Sequence, residues 1–215
     1  MDAIAENVAH VSTSGYKRRI PFSHLINVDR AIGDPHVTES YFDVRQGALI
    51  STGTATDIAI SGPGFFKLRH GDEFLFSRQG QFSLDGEGRL VSPQGYVLQQ
   101  ADGGDVVLDR TGFEVAPDGT ISVEASPIAR IGVFAPESAG ALSQVSGGYF
   151  AADEGLMVEA AGAVVRQGFT EASNVSFGDE MVAMTAAVRE AETGARLVQV
   201  YDDLMGRALS SLGRA

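Results

Sequence analysis

The sequence predicts a mainly β fold with terminal α-helices: a central antiparallel β domain followed by a long, coiled-coil-like C-terminal helix. Three observations predict it. Over residues 45–165, apolar segments rich in Ile, Val, Leu and Phe alternate with Gly- and Asp-bearing separators, the pattern of short strands joined by tight turns. Over residues 178–212 there is no proline, and apolar residues recur at helical spacing. The chain of 215 residues is 44% hydrophobic and holds 26 glycines against 7 prolines, a balance that fits a turn-rich folded domain and excludes a disordered tail.

From the start of the chain, Ile4, Val8 and Val11 fall at i, i+4, i+7, a short helical stripe. Ser12-Thr13-Ser14-Gly15 stops it. A polar stretch with Pro21, Gly33 and Pro35 reads as an extended linker, so the first segment covers residues 1–44. The β domain is assigned to residues 45–168, with strands predicted at 56–60, 65–69, 74–77, 89–91, 96–99, 106–108, 120–123 and 129–134. Its separators are Gly62-Pro63-Gly64, read as a hairpin turn ahead of Phe65-Phe66, then His70-Gly71-Asp72, Asp85-Gly86-Glu87-Gly88, Asp102-Gly103-Gly104 and Asp118-Gly119. Glycine supplies positive φ at such turns without steric cost, and Gly62, Gly64 and Gly80 are expected to form turns. Strands this close together in sequence predict antiparallel hairpins and not βαβ units.

The last segment, residues 169–215, carries the long helix. Ser173-Asn174 or Ser176 is expected to cap it, Asp179 and Glu180 suit the positive end of its dipole, and Gly213 and Arg214 suit the other. Positions seven apart read Met181, Val188, Ala195, Asp202, Leu209, and a partner set reads Met184, Ala191, Val198, Met205, Leu212; nine of the ten are apolar. A 3.5-residue seam on a helix about 50 Å long is coiled-coil-like. Leu197, Tyr201, Leu204 and Ala208 add a second apolar flank. The Ile4/Val8/Val11 helix is too short to cover this length, so much of the long helix is expected to bury against other chains. Asp202 either sets register against a basic group on a neighbour or stands exposed.

Several chemistries are excluded. The chain has no cysteine, which removes disulfides, zinc–thiolate sites and thiol nucleophiles. Its net charge of −12 opposes binding to nucleic-acid phosphate. His10, His24, His36 and His70 lack the i, i+3 or i+4 spacing of a helical metal pair. Gly62-Pro63-Gly64 lacks the Lys-Ser/Thr of a phosphate loop, Asp85-Gly86-Glu87-Gly88 lacks the spacing of a calcium loop, and no Gly-x-Ser-x-Gly elbow occurs. No apolar run reaches the roughly 18–20 residues of a membrane span. The first 17 residues lack the basic start and apolar middle of a signal peptide, which on its own predicts a cytosolic protein. Catalytic residues, cofactor and metal are therefore expected to be absent.

Three stretches resemble one family. Asn7-Val8-Ala9-His10-Val11-Ser12-Thr13-Ser14-Gly15-Tyr16-Lys17 is similar to the opening motif of flagellar rod and hook proteins. The segment GALISTGTATDIAISGPGFF, with Phe76-Ser77-Arg78-Gln79-Gly80-Gln81-Phe82 after it, resembles their central motif. Gln167-Gly168 and Glu171-Ala172-Ser173-Asn174-Val175, leading to Glu180-Met181-Val182 and Arg189, resemble their closing motif. Together these span nearly the whole chain, and its compact middle is most like the proximal-rod branch. There are departures: only residues 1–6 precede the first motif, where the family has a longer helix; Glu6 and His10 replace Asn; Thr56 replaces Leu.

The resemblance implies a structural subunit of the bacterial flagellar basal-body rod. The termini would form the inner layer of a tube and the β domain its outer layer. Partners would be copies of the chain and other rod subunits. The flagellar type III apparatus would export it without signal cleavage, placing it across the periplasm and replacing the cytosolic expectation. Val8, Val11, Met181, Met184, Val188, Ala191, Val198, Met205 and Leu209 would then be interface residues. Asn7, Gly15, Gly62, Gly64, Gly80 and Asn174 would be structural, with Asn174 expected to satisfy free backbone groups where the helix begins. The other readings are a distal-rod or hook-type member, or a free-standing β-rich binding module with Phe65, Phe66 and Tyr96 lining a groove.

Overall fold

The computed structural model describes residues 2–20, 41–108, 112–138 and 141–212. The linker predicted around Pro21, Gly33 and Pro35, with His24 and His36, and the cap predicted at Gly213 and Arg214 lie outside the described residues. Among the described residues the chain opens with α1 (Asp2–Ala9), then β1 (Arg19–Ile20), β2 (Tyr41–Phe42), β3 (Leu49–Ser51), β4 (Ile58–Ser61), β5 (Phe65–His70) and β6 (Glu73–Ser77). It continues through β7 (Ser83–Leu84), β8 (Leu90–Val91), β9 (Val97–Leu98), β10 (Glu114–Val115), β11 (Thr120–Val123) and β12 (Ser126–Arg130). Then follow β13 (Val133–Pro136), β14 (Leu142–Ser146), β15 (Tyr149–Ala152), β16 (Met157–Glu159), β17 (Val164–Gln167), β18 (Phe169–Glu171) and α2 (Phe177–Leu212). The fold is mainly antiparallel β with a long C-terminal helix, as predicted.

The largest sheet runs β14-β15-β6-β5-β9-β8-β7, with β13 joined to β5 and β16 to β13; β10-β11-β12 form a second sheet, and β1-β2, β4-β17 and β3-β18 form pairs. Alternation along β5 and β6 places side chains on two faces. Phe66, Leu68 and Leu75 join the main core with Ile58, Ile60, Leu90, Leu98, Val106, Leu108, Ile121 and Val165. Phe65 and Phe76 face the other way, into a smaller cluster with Leu142, Phe150 and Met157. The predicted turns at Gly71-Asp72, Asp85–Gly88 and Asp118-Gly119 do join hairpins β5–β6, β7–β8 and β10–β11.

Five local expectations are corrected. Gly62-Pro63-Gly64 is not a hairpin turn: β4 pairs with β17 while β5 pairs with β6, β9 and β13, so this corner carries the chain between sheets. Gly62 and Gly64 hold φ of +107° and +111°, which suits glycine. Gly80 forms no turn; a Cβ there would lie 1.7 Å from the Ile58 carbonyl oxygen, so glycine is needed because two backbones cross. The strand predicted over 129–134 breaks at Gly132 into β12 and β13, and 106–108 makes a single bridge, Arg89–Val107. Val11 lies past α1, which ends at Ala9.

Candidate functional site

The two ends of the chain meet beside the β body, and charges hold the meeting point together. Glu171 ends β18 and is fully buried. Its Oε1 accepts from Lys17 Nζ at 2.6 Å and from the Gly47 N–H at 2.9 Å; its Oε2 accepts from Arg78 Nη1 at 2.9 Å. The Lys17 and Glu171 side chains are 0% exposed and that of Arg78 is 3%. Lys17 Nζ also donates to the Arg45 carbonyl, and Arg78 to the carbonyls of Ile60 and Gly62. Burial pushes the Lys17 ammonium and the Arg78 guanidinium below their ordinary pKa values, and the Glu171 carboxylate opposes both shifts.

Glycines bring the backbones close enough for this. Gly15, at φ +70°, stands so near the Arg78–Gln79 peptide that a Cβ would lie 2.4 Å from it, and a Cβ on Gly47 would lie 2.1 Å from the Ala172 carbonyl oxygen. The Gly15 N–H and the Ser14 hydroxyl both donate to the Glu171 carbonyl, at 2.8 and 2.9 Å.

Two asparagines complete the junction. Asn7, buried on α1, accepts from the Arg19 N–H at 2.8 Å and donates to the Arg19 carbonyl at 2.9 Å. Asn174 accepts from the Arg18 N–H at 2.7 Å and donates to the carbonyls of Asp43 and Arg45. Asn174 therefore ties three segments together and does not cap α2. Ser176 is the cap: its carbonyl accepts the Glu180 N–H, and its hydroxyl accepts from the Asp179 N–H. Arg18 Nε donates to buried Glu180 on α2, and Arg19 pairs with Glu6 on α1. Tyr16 is fully buried; burial, with the Glu6 charge adding to it, pushes its phenol up to about 12. His10 stacks on Tyr16 with ring centroids 4.7 Å apart.

The predicted interface residues divide. Val8 and Met181 are half-buried, as is Val11 in the turn after α1. Met184, Val188, Ala191, Val198 and Met205 are exposed along α2, as is Asp202; the side chain of Leu209 lies outside the described residues. α1 packs against α2, and beyond the buried Glu180 the only non-exposed described positions on the helix are Met181, Ala183 and Ala187. Farther along, Leu197, Val200, Tyr201 and Leu204 are 56–67% exposed. Continuing from Ala183 and Ala187 at steps of three and four residues reaches Ala191, Gly194, Leu197 or Val198, Tyr201 and Leu204 or Met205, so the face α1 covers runs on bare. A seam of strict heptads drifts slowly around a straight helix, which is why the predicted set only partly follows this stripe.

Sequence reasoning assigned no role to Lys17, Arg78 or Glu171. The available signal was that each is a charge inside one of the three motifs. Among the described residues no group of His, Asp and Glu could hold a metal ion, and no helix is long and apolar enough to cross a membrane. A groove of about 400 Å³ beside the start of α2 is lined by Asp43, Arg45, Gln46, Gly47, Asn174 and Ser176 among others; it is open and holds no nucleophile–base pair.

A β body whose two ends converge and project a helix with a bare apolar face defines a structural subunit rather than a pocket protein. Comparison with known proteins agrees. Residues 59–123 match the family described as flagellar hook protein FlgE/F/G D1 domain, and residues 166–211 match flagellar basal body rod FlgEFG protein C-terminal. The chain is 30% identical to flagellar basal-body rod protein FlgG of Borreliella burgdorferi, covering 97% of this chain and 91% of that one. It is 26% identical to FlgG of Bacillus subtilis, over 95% and 90%, and 27% identical to rod protein FlgF of Rhizobium meliloti, over 99% and 91%. The chain belongs to the flagellar basal-body rod protein family.

Proposed function

We propose that the chain is a structural subunit of the flagellar basal-body rod that assembles with copies of itself and with other rod subunits to transmit torque from motor to hook. Residues 1–44 and 169–215 form the inner layer of the tube, and residues 45–168 the outer layer. Stacking is heterologous with a rotation that does not close, so the assembly is open and helical. The observation that carries this reading is the apolar face of α2, with Leu197, Val198, Tyr201, Leu204 and Met205 at 47–67% exposure in the single chain. A bare face of this length is stable only when neighbours cover it. Val8, Val11, Met181, Met184, Val188, Ala191, Val198, Met205 and Leu209 make those contacts, in coiled-coil fashion.

The proximal-rod branch is supported by the shorter alignment to the FlgF relative, 220 residues at 99% of this chain against 242 at 97% for the first FlgG relative, while the higher identity to FlgG, 30% against 27%, supports the distal-rod alternative. The subunit travels through the flagellar type III apparatus without signal cleavage and comes to lie across the periplasm. The lack of cysteine supports passage of an unbridged chain. The test is V198E/M205E expressed in cells deleted for the native chain. The expected result is no rod and no motility, with the melting temperature of the purified subunit unchanged; normal flagella on those cells would overturn the proposal.

A further inference from the structure

We propose that Lys17, Arg78 and Glu171 form a three-segment lock that docks both terminal segments onto the β body together, so that neither end docks without the other. The three residues are far apart in sequence, 154 positions between Lys17 and Glu171 and 93 between Arg78 and Glu171. They come from the N-terminal segment, the stretch after β6 and the end of β18, and each is buried.

The charge count makes the lock conditional. The N-terminal segment cannot seat without bringing Lys17 toward Arg78, because Gly15 lies directly on the Arg78–Gln79 peptide. Two cations buried without an anion cost more than the contacts of a short segment return. Of the neighbouring carboxylates, Glu180 bonds Arg18, and Asp43 bonds Arg45 and acts on Lys17 only through its field. Glu171 is the carboxylate that bonds both cations.

The reverse dependence holds as well. Glu171 and Asn174 draw bonds from the Ser14 hydroxyl, the Gly15 and Arg18 N–H groups and Lys17, so the start of α2 is tied through the N-terminal segment. The main core is built from apolar side chains of the β body packed on one another, Ile58, Phe66, Leu68 and Leu98 among them, while Arg78 meets that body at the carbonyls of Ile60 and Gly62 and beside the Phe65 ring. The β body is therefore expected to keep its core when the lock opens. The device is a two-state closure of the ends on a body that persists.

Amide hydrogen exchange on the full-length subunit, below the concentration at which it associates, tests this apart from assembly. In E171Q, residues 2–18 and 177–187 are expected to lose protection together, by about a hundredfold, while β5 and β6 change by less than about threefold. K17M removes the Lys17 bond to Glu171 but leaves Arg78 and Glu171 as a balanced pair, so both ends are expected to lose protection by one common factor, smaller than in E171Q. Loss at one end alone, loss spread into β5 and β6, or, in K17M, unequal shifts of the two ends or no shift at either would overturn the proposal; K17M decides the matter even where E171Q fails to fold.

Discussion

The junction and the far half of α2 are opposite solutions to the same sequence. At the junction, each side-chain oxygen of Glu171 has a buried donor and glycines let three backbones touch. Farther along the chain, Leu197, Tyr201 and Leu204 stand in solvent. A buried charge is tolerated only where every partner is fixed in place, and an exposed apolar stripe is kept only where something else covers it. The first region specifies the shape of one subunit, and the second is reserved for its neighbours. Substitutions should therefore separate cleanly, with stability lost at one site and association lost at the other.

The largest stability effect is expected from Gly80→Ala. Its Cβ has no room beside the Ile58 carbonyl oxygen, and the overpacking costs about 3 kcal/mol, read as a fall in the denaturant midpoint at unchanged slope. Gly86→Ala, with open space around its Cβ, should stay within about 0.5 kcal/mol. Next comes alkaline pH. The phenols of Tyr16 and Tyr149 are pushed up to about 12 by burial from an ordinary 10.0. The unfolded chain loses these protons first, so each contribution is complete below pH 10 and disappears as pH rises toward 12, about 2–3 kcal/mol per tyrosine. Tyr16→Phe should remove the junction's share of that slope and leave the share of Tyr149, measured by denaturant melts at stepped pH.

Asn7→Ala should cost about 2 kcal/mol, because the Arg19 N–H and carbonyl lose their buried partner; exchange should rise first at α1 and β1. The smallest effect is expected from Leu197→Glu. Subunit stability should move by no more than about 0.5 kcal/mol, while sedimentation under conditions where the native chain forms multimers should show only monomer. A stability loss as large as that of Asn7→Ala would show that α2 packs within its own chain and would erase the contrast between the two regions.

What was legible in the sequence was what neighbouring residues decide. The β5–β6 hairpin announces itself through alternation and Gly71, the turn ahead of β8 through Asp85-Gly86-Glu87-Gly88 although the two-residue β7 before it went unpredicted, and α2 through a long proline-free periodic run. Pairings made at a distance leave no such trace. β18 is only Phe-Thr-Glu, and nothing in it points to β3, more than a hundred positions earlier. The β11–β12 turn was invisible for another reason: Glu124 and Ala125 hold φ of +52° and +65° without a glycine between them, against the usual chemistry of such turns. The junction escaped because lone lysine, arginine and glutamate residues are surface residues by default, and only the fold shows that Lys17, Arg78 and Glu171 converge.

The position of Glu171, at the end of β18 and five residues before Ser176, the cap of α2, has a mechanical side. A pull or twist on the helix passes through Glu180 and Asn174 to the residue bonded to Lys17, to Arg78 and to the backbone of Gly15 and Gly47 at once. The load is divided there among the N-terminal segment, the stretch after β6 and the loop before β3, so no single strand is peeled from its neighbour. The same few atoms that join the ends of the chain thus act as its bearing, where stress in the helix becomes stress in the body.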